Sequence, residues 1–243
     1  MRFISANGLL SALPPIIYER LGPHLQRVRL EAGSVLFEAG VPVDYAWFIT
    51  RGIVSLLGAT ESGNSVEVAM AGPDSVIGFP GLVRKNEAAF CAQVQIAGEA
   101  LRISARVLQA AIKRESHIYL PLLDLTHILN EQIAQAVVCH RFHNIDQRLT
   151  RWLLLAHNST RNGAFNITHE MMAQILGVSR SSVSSAAGQL QTKGLIHYAR
   201  GRITLLSPEG LEDLSCECYG ILSRAMNSSL PPDYRSAADR VTP

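Results

Sequence analysis

ITHEMMAQILGVSRSSVSSAAGQLQTKGLI, residues Ile167 to Ile196, decides the fold through its spacing. Thr168 is positioned to cap a first helix carrying Met171, Met172, Ile175 and Leu176, because a hydroxyl there accepts a hydrogen bond from an otherwise unpaired first-turn amide. Gly177 ends this helix. Ser179 then caps a second one, with Val183, Ala186, Ala187 and Leu190 along one face. Two helices crossing at about 90–120° need a small residue at their closest approach, a turn residue that tolerates positive φ, and an apolar plug in the angle. Ala173, Gly177 and Val183 supply these in turn.

The second helix presents Arg180, Ser181, Ser182, Ser184 and Ser185 outward, without the Glu and Lys pairs that decorate an ordinary solvated face. Small hydroxyls permit close approach to phosphates and base edges, and an arginine can hold guanine O6 and N7 together. The next stretch, GLIHYARGRITLL (residues 194–206), reads as a two-stranded wing that turns at Ala199 to Gly201. The expected ligand is double-stranded DNA. Arg180 is expected to read bases, with Ser179, Ser181, Ser182, Ser184 and Ser185 in the same contact set, while Thr168, Arg200 and Arg202 anchor the phosphate backbone. A helical hairpin without a ligand is the competing reading.

On these two stretches the chain resembles the Crp/Fnr family of bacterial transcription regulators, over about the first 220 residues. The resemblance implies an N-terminal β-roll of the cyclic-nucleotide-binding type, a homodimer, and RNA polymerase as a protein partner. In relatives that bind cyclic AMP, a Gly-Glu-Leu-like step takes the ribose hydroxyl and an Arg-Ser or Arg-Ala pair takes the phosphate. The matching places here read Gly78-Phe79-Pro80 and Ala88-Ala89, so both the acid and the cation are missing. A cyclic phosphate buried without a cation carries a large desolvation cost, and control by cyclic AMP at Gly78, Phe79, Ala88 and Ala89 is not expected. Arg84 and Lys85 are read as solvated loop charges rather than as substitutes. Cyclic-AMP-responsive relatives also carry Glu and Arg where this chain has Ser181 and Ser185, which implies a different half-site. The family's oxygen-sensing branch holds its cluster on N-terminal cysteines, and no cysteine precedes Cys91.

The rest of the chain fits an α+β protein in three parts. From Gln26 to Ser104, short apolar runs are punctuated by glycine, as in an antiparallel jelly roll, with Leu30, Val35 and Phe37, then Val66, Val68 and Met70, on buried faces. Pro15 to Leu21 is a short helix packed on the roll, and Ala105 to Ile112 another that closes it. From Ser116 a long helix carries Leu122, Leu125, Leu129, Gln132, Ala136, Cys139 and His143 at alternating steps of three and four. That is the seam of a two-helix coiled coil, and it predicts a homodimer through Leu122, Leu125, Leu129, Gln132, Ala136 and Cys139; an intramolecular core helix is the alternative. Asp146 is expected to cap the following helix, STRNGAFN (residues 159–166) to be a connector, and the last helix to run from Ser207 to about Ser223. The domain limits are thus 1–115 for the roll, 116–143 for the dimer helix, 144–224 for the winged helix-turn-helix, and 225–243 for a disordered tail.

Charge and cysteines narrow the function further. The net charge of +2 is small, yet residues 144–210 hold seven Lys or Arg against three acids. No apolar run approaches the roughly 18 residues that span a bilayer, so no membrane is expected and the location is read as cytoplasmic. Cys216 and Cys218 are one residue apart and lack a second pair at metal-ligand spacing. Cys139, His140 and His143 share one helix at i, i+4 spacing, but a buried thiol beside polar neighbours is the simpler reading; neither metal nor cofactor is expected. No nucleophile motif or phosphate-binding glycine loop argues for an enzyme. A sensor whose C-terminal winged helix binds a protein is the alternative function.

Overall fold

The computed structural model describes residues 7–73, 75–79, 87–114, 118–160 and 163–228. Two short helices, α1 (Gly8–Ala12) and α2 (Pro15–Leu21), precede strands β1 (Gln26–Leu30), β2 (Val35–Phe37), β3 (Tyr45–Ala59), β4 (Ser65–Ala71), β5 (Val76–Ile77) and β6 (Cys91–Ser104). These strands form one antiparallel six-stranded sheet with the main order β1-β6-β3-β4; β2 pairs with β6, and β5 with β3. The long strands β3 and β6 bend past each other where Arg51 and Gly52 oppose Gly98 and the register shifts. A Cβ on Gly98 would overlap the Arg51 carbonyl, so glycine is required there.

Helix α3 (Ala105–Arg114) closes the roll, and the long helix α4 (Tyr119–Phe142) follows. Then follow α5 (Ile145–Thr160), β7 (Ala164–Asn166), α6 (His169–Leu176), α7 (Arg180–Thr192), β8 (Ile196–Ala199), β9 (Arg202–Leu205), α8 (Pro208–Leu214) and α9 (Cys218–Ser228). Among the described residues no helix is long and apolar enough to cross a membrane.

Four local expectations change. Asn144, not Asp146, heads α5: its Oδ1 accepts from the Gln147 amide while Gln147 Oε1 accepts from the Asn144 amide, a reciprocal box that leaves Asp146 in the first turn. Ala164–Asn166, read as connector, adds an edge strand to the wing, because its alternating pattern pairs with β9. The last helix is two, broken at Ser215–Glu217; α9 continues to Ser228, and residues 229–243 lie outside the described residues. In β4 the inward position is Glu67, which is buried, while Val66 and Val68 are half-buried.

The core is continuous across the domain boundary. Ile53, Met70 and Ile96 of the roll pack in one cluster with Leu149, Trp152 and Leu153 of α5 and with Ile175, Val183 and Leu190 of the helix pair. A second cluster joins α1, α2 and α3 to Leu122 of α4. Shared burial of this kind fixes one orientation of the helix pair on the roll.

Candidate nucleic-acid interface

The helix pair forms as its spacing dictates. Thr168 Oγ1 accepts from the Met171 amide at 3.2 Å, and Ser179 Oγ from the Ser182 amide at 3.2 Å. Gly177 ends α6 in the left-handed region at φ +61°, and its amide returns to Ala173 and Gln174 carbonyls. Met172, Ile175, Val183 and Leu190 are buried, so α7 is left with an outward face bearing Arg180, Ser181, Ser184 and Ser185.

Not all of that face is free. Ser184 Oγ lies 2.8 Å from His169 Nδ1 and also donates to the Arg180 carbonyl at 3.0 Å. Ser182 Oγ lies 2.8 Å from Ser179 Oγ and is only partly exposed, as is Ser184's partner His169. Arg180, Ser181 and Ser185 thus offer the most accessible groups on the face. Burial, followed by the nearby Arg180 charge, holds His169 below the ordinary imidazole range and so favours its neutral form at neutral pH.

The wing is β8 and β9, with the turn at Arg200 (φ +50°) and Gly201 (φ +77°) placing Arg200 and Arg202 outward. Its angle to α7 is set by contacts that the sequence pattern did not single out. Tyr198 stacks on His169 at 4.3 Å between ring centroids, its hydroxyl donates to the Ile167 carbonyl at 3.3 Å, and its amide donates to Gln191 Oε1 at 2.7 Å. The Ile167 amide in turn donates to the Gly201 carbonyl at 2.8 Å. Wing and helix pair therefore make one rigid surface with Arg180, Arg200 and Arg202 around its edge. Paired hydrophobic spacing gave no signal for Tyr198 and His169, because the whole of α7 separates them in the chain.

Among the described basic residues of this half, two do not face outward. Arg148 and Arg151 are buried; Arg148 donates to the Leu176 carbonyl at the end of α6, and its Nη2 lies 2.9 Å from His140 Nδ1. Burial and the adjacent guanidinium groups push His140 down to about 4.

The α4 residues read as a dimer seam are taken up inside the chain. Leu122 belongs to the roll's inner cluster, Leu129 packs against the sheet, Gln132 Oε1 accepts from the Met70 amide at 2.9 Å, and Cys139 lies against Cys216. The seam spacing was right for an amphipathic helix, but the burying partners lie within the chain: the roll for Leu122, Leu129 and Gln132, and Cys216 for Cys139. Leu123, Val137, Val138 and Phe142, on other sides of α4, are its exposed large apolar residues among the described side chains.

Residues 27–115 match the family model for the cyclic nucleotide-binding domain, and residues 147–214 that for the Crp-like helix-turn-helix domain. The chain belongs to the Crp/Fnr family of transcription regulators. Among curated relatives of this Crp/Fnr chain, the transcriptional regulator SdrP of Thermus thermophilus is 26% identical over 204 residues, covering 78% of this chain and 94% of SdrP. The global nitrogen regulator of a Synechocystis species is 23% identical over 209 residues, covering 80% of this chain and 92% of the relative. FixK2 of Bradyrhizobium japonicum has a similar solved structure, with a TM-score of 0.67 at 17% identity, covering 79% of this chain and 98% of FixK2. A Crp/Fnr-family regulator from Eubacterium rectale gives 0.66 at 17% identity, covering 86% of this chain and 98% of that one.

In this Crp/Fnr roll, Gly78, Phe79, Ala88 and Ala89 line one cavity of about 100 Å³ together with Met70 and Leu129. Its lining is mainly apolar, and Ser75, Thr126 and Gln132 are its polar side chains among the described residues. Thr126 donates to the Leu122 carbonyl, and Gln132 receives the Met70 amide, so both have partners within the chain. Arg84 and Lys85 lie outside the described residues.

Proposed function

We propose that this regulator acts as a homodimer that reads an inverted-repeat operator through α7, in the cytoplasm, without cyclic AMP in the roll cavity. The observation that carries the reading is the outward face of α7, where Arg180, Ser181 and Ser185 are exposed, as are the two wing arginines, and Ser181 Oγ lies 2.8 Å from the capping Ser179 Oγ. Arg180 contacts a guanine edge, Ser181 and Ser185 allow the helix to sit deep in the groove, and Thr168, Arg200 and Arg202 meet phosphates. Two copies of α7 enter successive major grooves about 34 Å apart. The dimer contact uses the exposed stripe of α4 that carries Leu123 and Val137, in place of the seam already filled within the chain. RNA polymerase is the protein that such a bound dimer would meet at a promoter.

The cavity favours an apolar occupant or none, since the described side chains lining it include no cation to hold a phosphate. Cyclic AMP is accordingly expected to leave the thermal melting curve unchanged.

Selection of binding sites from a random duplex library, with purified full-length protein and no added nucleotide, tests the reading. An enriched inverted repeat with half-sites one helical turn apart is expected. Binding should also weaken steeply as salt rises, because several phosphate contacts release counterions. No enrichment from folded protein, or affinity indifferent to salt, overturns the proposal in favour of a protein-binding winged helix.

A further inference from the structure

We propose that Cys139, His143, Cys216 and Cys218 form a site for a single tetrahedral zinc ion that ties the long helix α4 to the junction of α8 and α9. Their four ligand atoms all lie within 4.8 Å of one another. Cys139 Sγ is 3.6 Å from Cys216 Sγ, and Cys218 Sγ is 3.5 Å from His143 Nδ1. With metal–sulfur bonds of about 2.3 Å and metal–nitrogen bonds of about 2.0–2.1 Å, the edges of a tetrahedron come to about 3.5–3.8 Å. These two separations already have these lengths. The space suits one ion and leaves no room for bridging sulfides between the ligand atoms.

The surroundings are those of a metal site as well. His143 turns Nδ1 toward the thiols while Nε2 lies 3.3 Å from a Glu217 carboxylate oxygen, an arrangement that fixes the ring and makes it a better donor. Gln135 Nε2 donates to Cys218 Sγ at 3.0 Å, as an outer hydrogen bond to a ligating sulfur does. All three thiols are buried. His140, the other histidine beside Cys139, points instead to Arg148 and takes no part.

Sequence spacing set metal aside because Cys-x-Cys had no second pair; the fold supplies it 77 residues away in Cys139, with His143 one turn later. The break at Ser215–Glu217 turns Cys216 and Cys218 to the same side, which a continuous helix would not do. Neither half of the group falls inside the two matched family segments. Three thiolates and a neutral imidazole select zinc among common divalent ions. Binding forms three metal–sulfur bonds and one metal–nitrogen bond and releases three thiol protons to solvent, with no change of oxidation state.

Full-length protein, purified under reducing conditions, is expected to contain one equivalent of zinc. Replacing it with cobalt should give thiolate-to-metal charge-transfer bands and the visible bands of a tetrahedral site. Cys216→Ser should lose the metal, whereas Cys91→Ser, on β6 and outside the group, should keep it. Glu217 is exposed, so Glu217→Gln tests the site without disturbing the core, and zinc affinity should fall by about 10–100-fold. A cobalt spectrum lacking thiolate bands overturns the proposal. So does a Cys139–Cys216 disulfide in protein prepared under reducing conditions, or equal zinc affinity in wild type and Glu217→Gln.

Discussion

Glu67 is a carboxylate where ionisation is unfavourable. It is buried between β4 and α5, and desolvation raises it to about 7 even though Ser55 Oγ and, at 3.2 Å, Trp152 Nε1 both donate to it. The folded state therefore holds a proton that the unfolded chain has released between pH 4.5 and 7. Stability falls as pH rises through that window and stays low above it. Glu67→Gln keeps an acceptor for both donors and removes the buried charge, so its melting temperature should exceed that of wild type at pH 8 and match it near pH 5; a constant difference across pH would refute the assignment. Arg180 presents the opposite case, an exposed charge held outside the core. Arg180→Ala should weaken binding to the selected operator by about 1–3 kcal/mol and relax preference at one base position, with unchanged mass in solution. Equal loss on scrambled DNA would show that Arg180 contacts phosphate instead.

Elements whose signals are local were legible in the sequence. Thr168, Gly177 and Ser179 act within one turn of themselves, so caps and breaks could be placed from spacing alone, and the wing turn at Arg200-Gly201 followed from its glycine. Elements defined by a distant partner were not. The edge strand β7 exists only because β9 is there to pair with it, and the inward turn of Glu67 follows from Ser55 across the sheet and Trp152 beyond it. The seam of α4 shows the same divide, since spacing marks an apolar face but does not say whether a second copy or the chain's own roll covers it. Gly177 carries both kinds of constraint. Its φ of +61° is local, while a Cβ there would crowd Val66 of β4 at 3.1 Å. Gly177→Ala should therefore destabilise the protein by about 1–2 kcal/mol from the left-handed backbone alone, read as a lower urea midpoint. If Val66→Ala in the same chain recovers part of the loss, the contact between turn and roll is energetically real; no recovery would leave only the backbone effect.

At the scale of the whole molecule, the helix pair is not a tethered module. It shares a core with the roll through Ile53, Met70 and Trp152, Arg148 reaches from α5 to the end of α6, and Gly177 rests on β4. A rigid protomer of this kind places α7 relative to α4, so in the proposed dimer the geometry of two α7 helices would be decided by how two α4 helices meet. The exposed side of α4 has Leu123, Asn130 and Val137 at intervals of seven, with His127, Ala134 and Arg141 between them, which is the repeat of a narrow coiled-coil stripe. Val137 is 67% and Phe142 73% exposed in the single chain, an unfavourable state for large apolar groups unless another surface covers them. Leu123→Glu combined with Val137→Glu places like charges along that stripe and touches neither the roll core nor the outward face of α7. The variant should sediment as a monomer with wild-type far-ultraviolet dichroism, and its operator binding should fall to the level of a single half-site. A dimer of undiminished mass would place the contact elsewhere and separate the orientation of α7 from this side of α4.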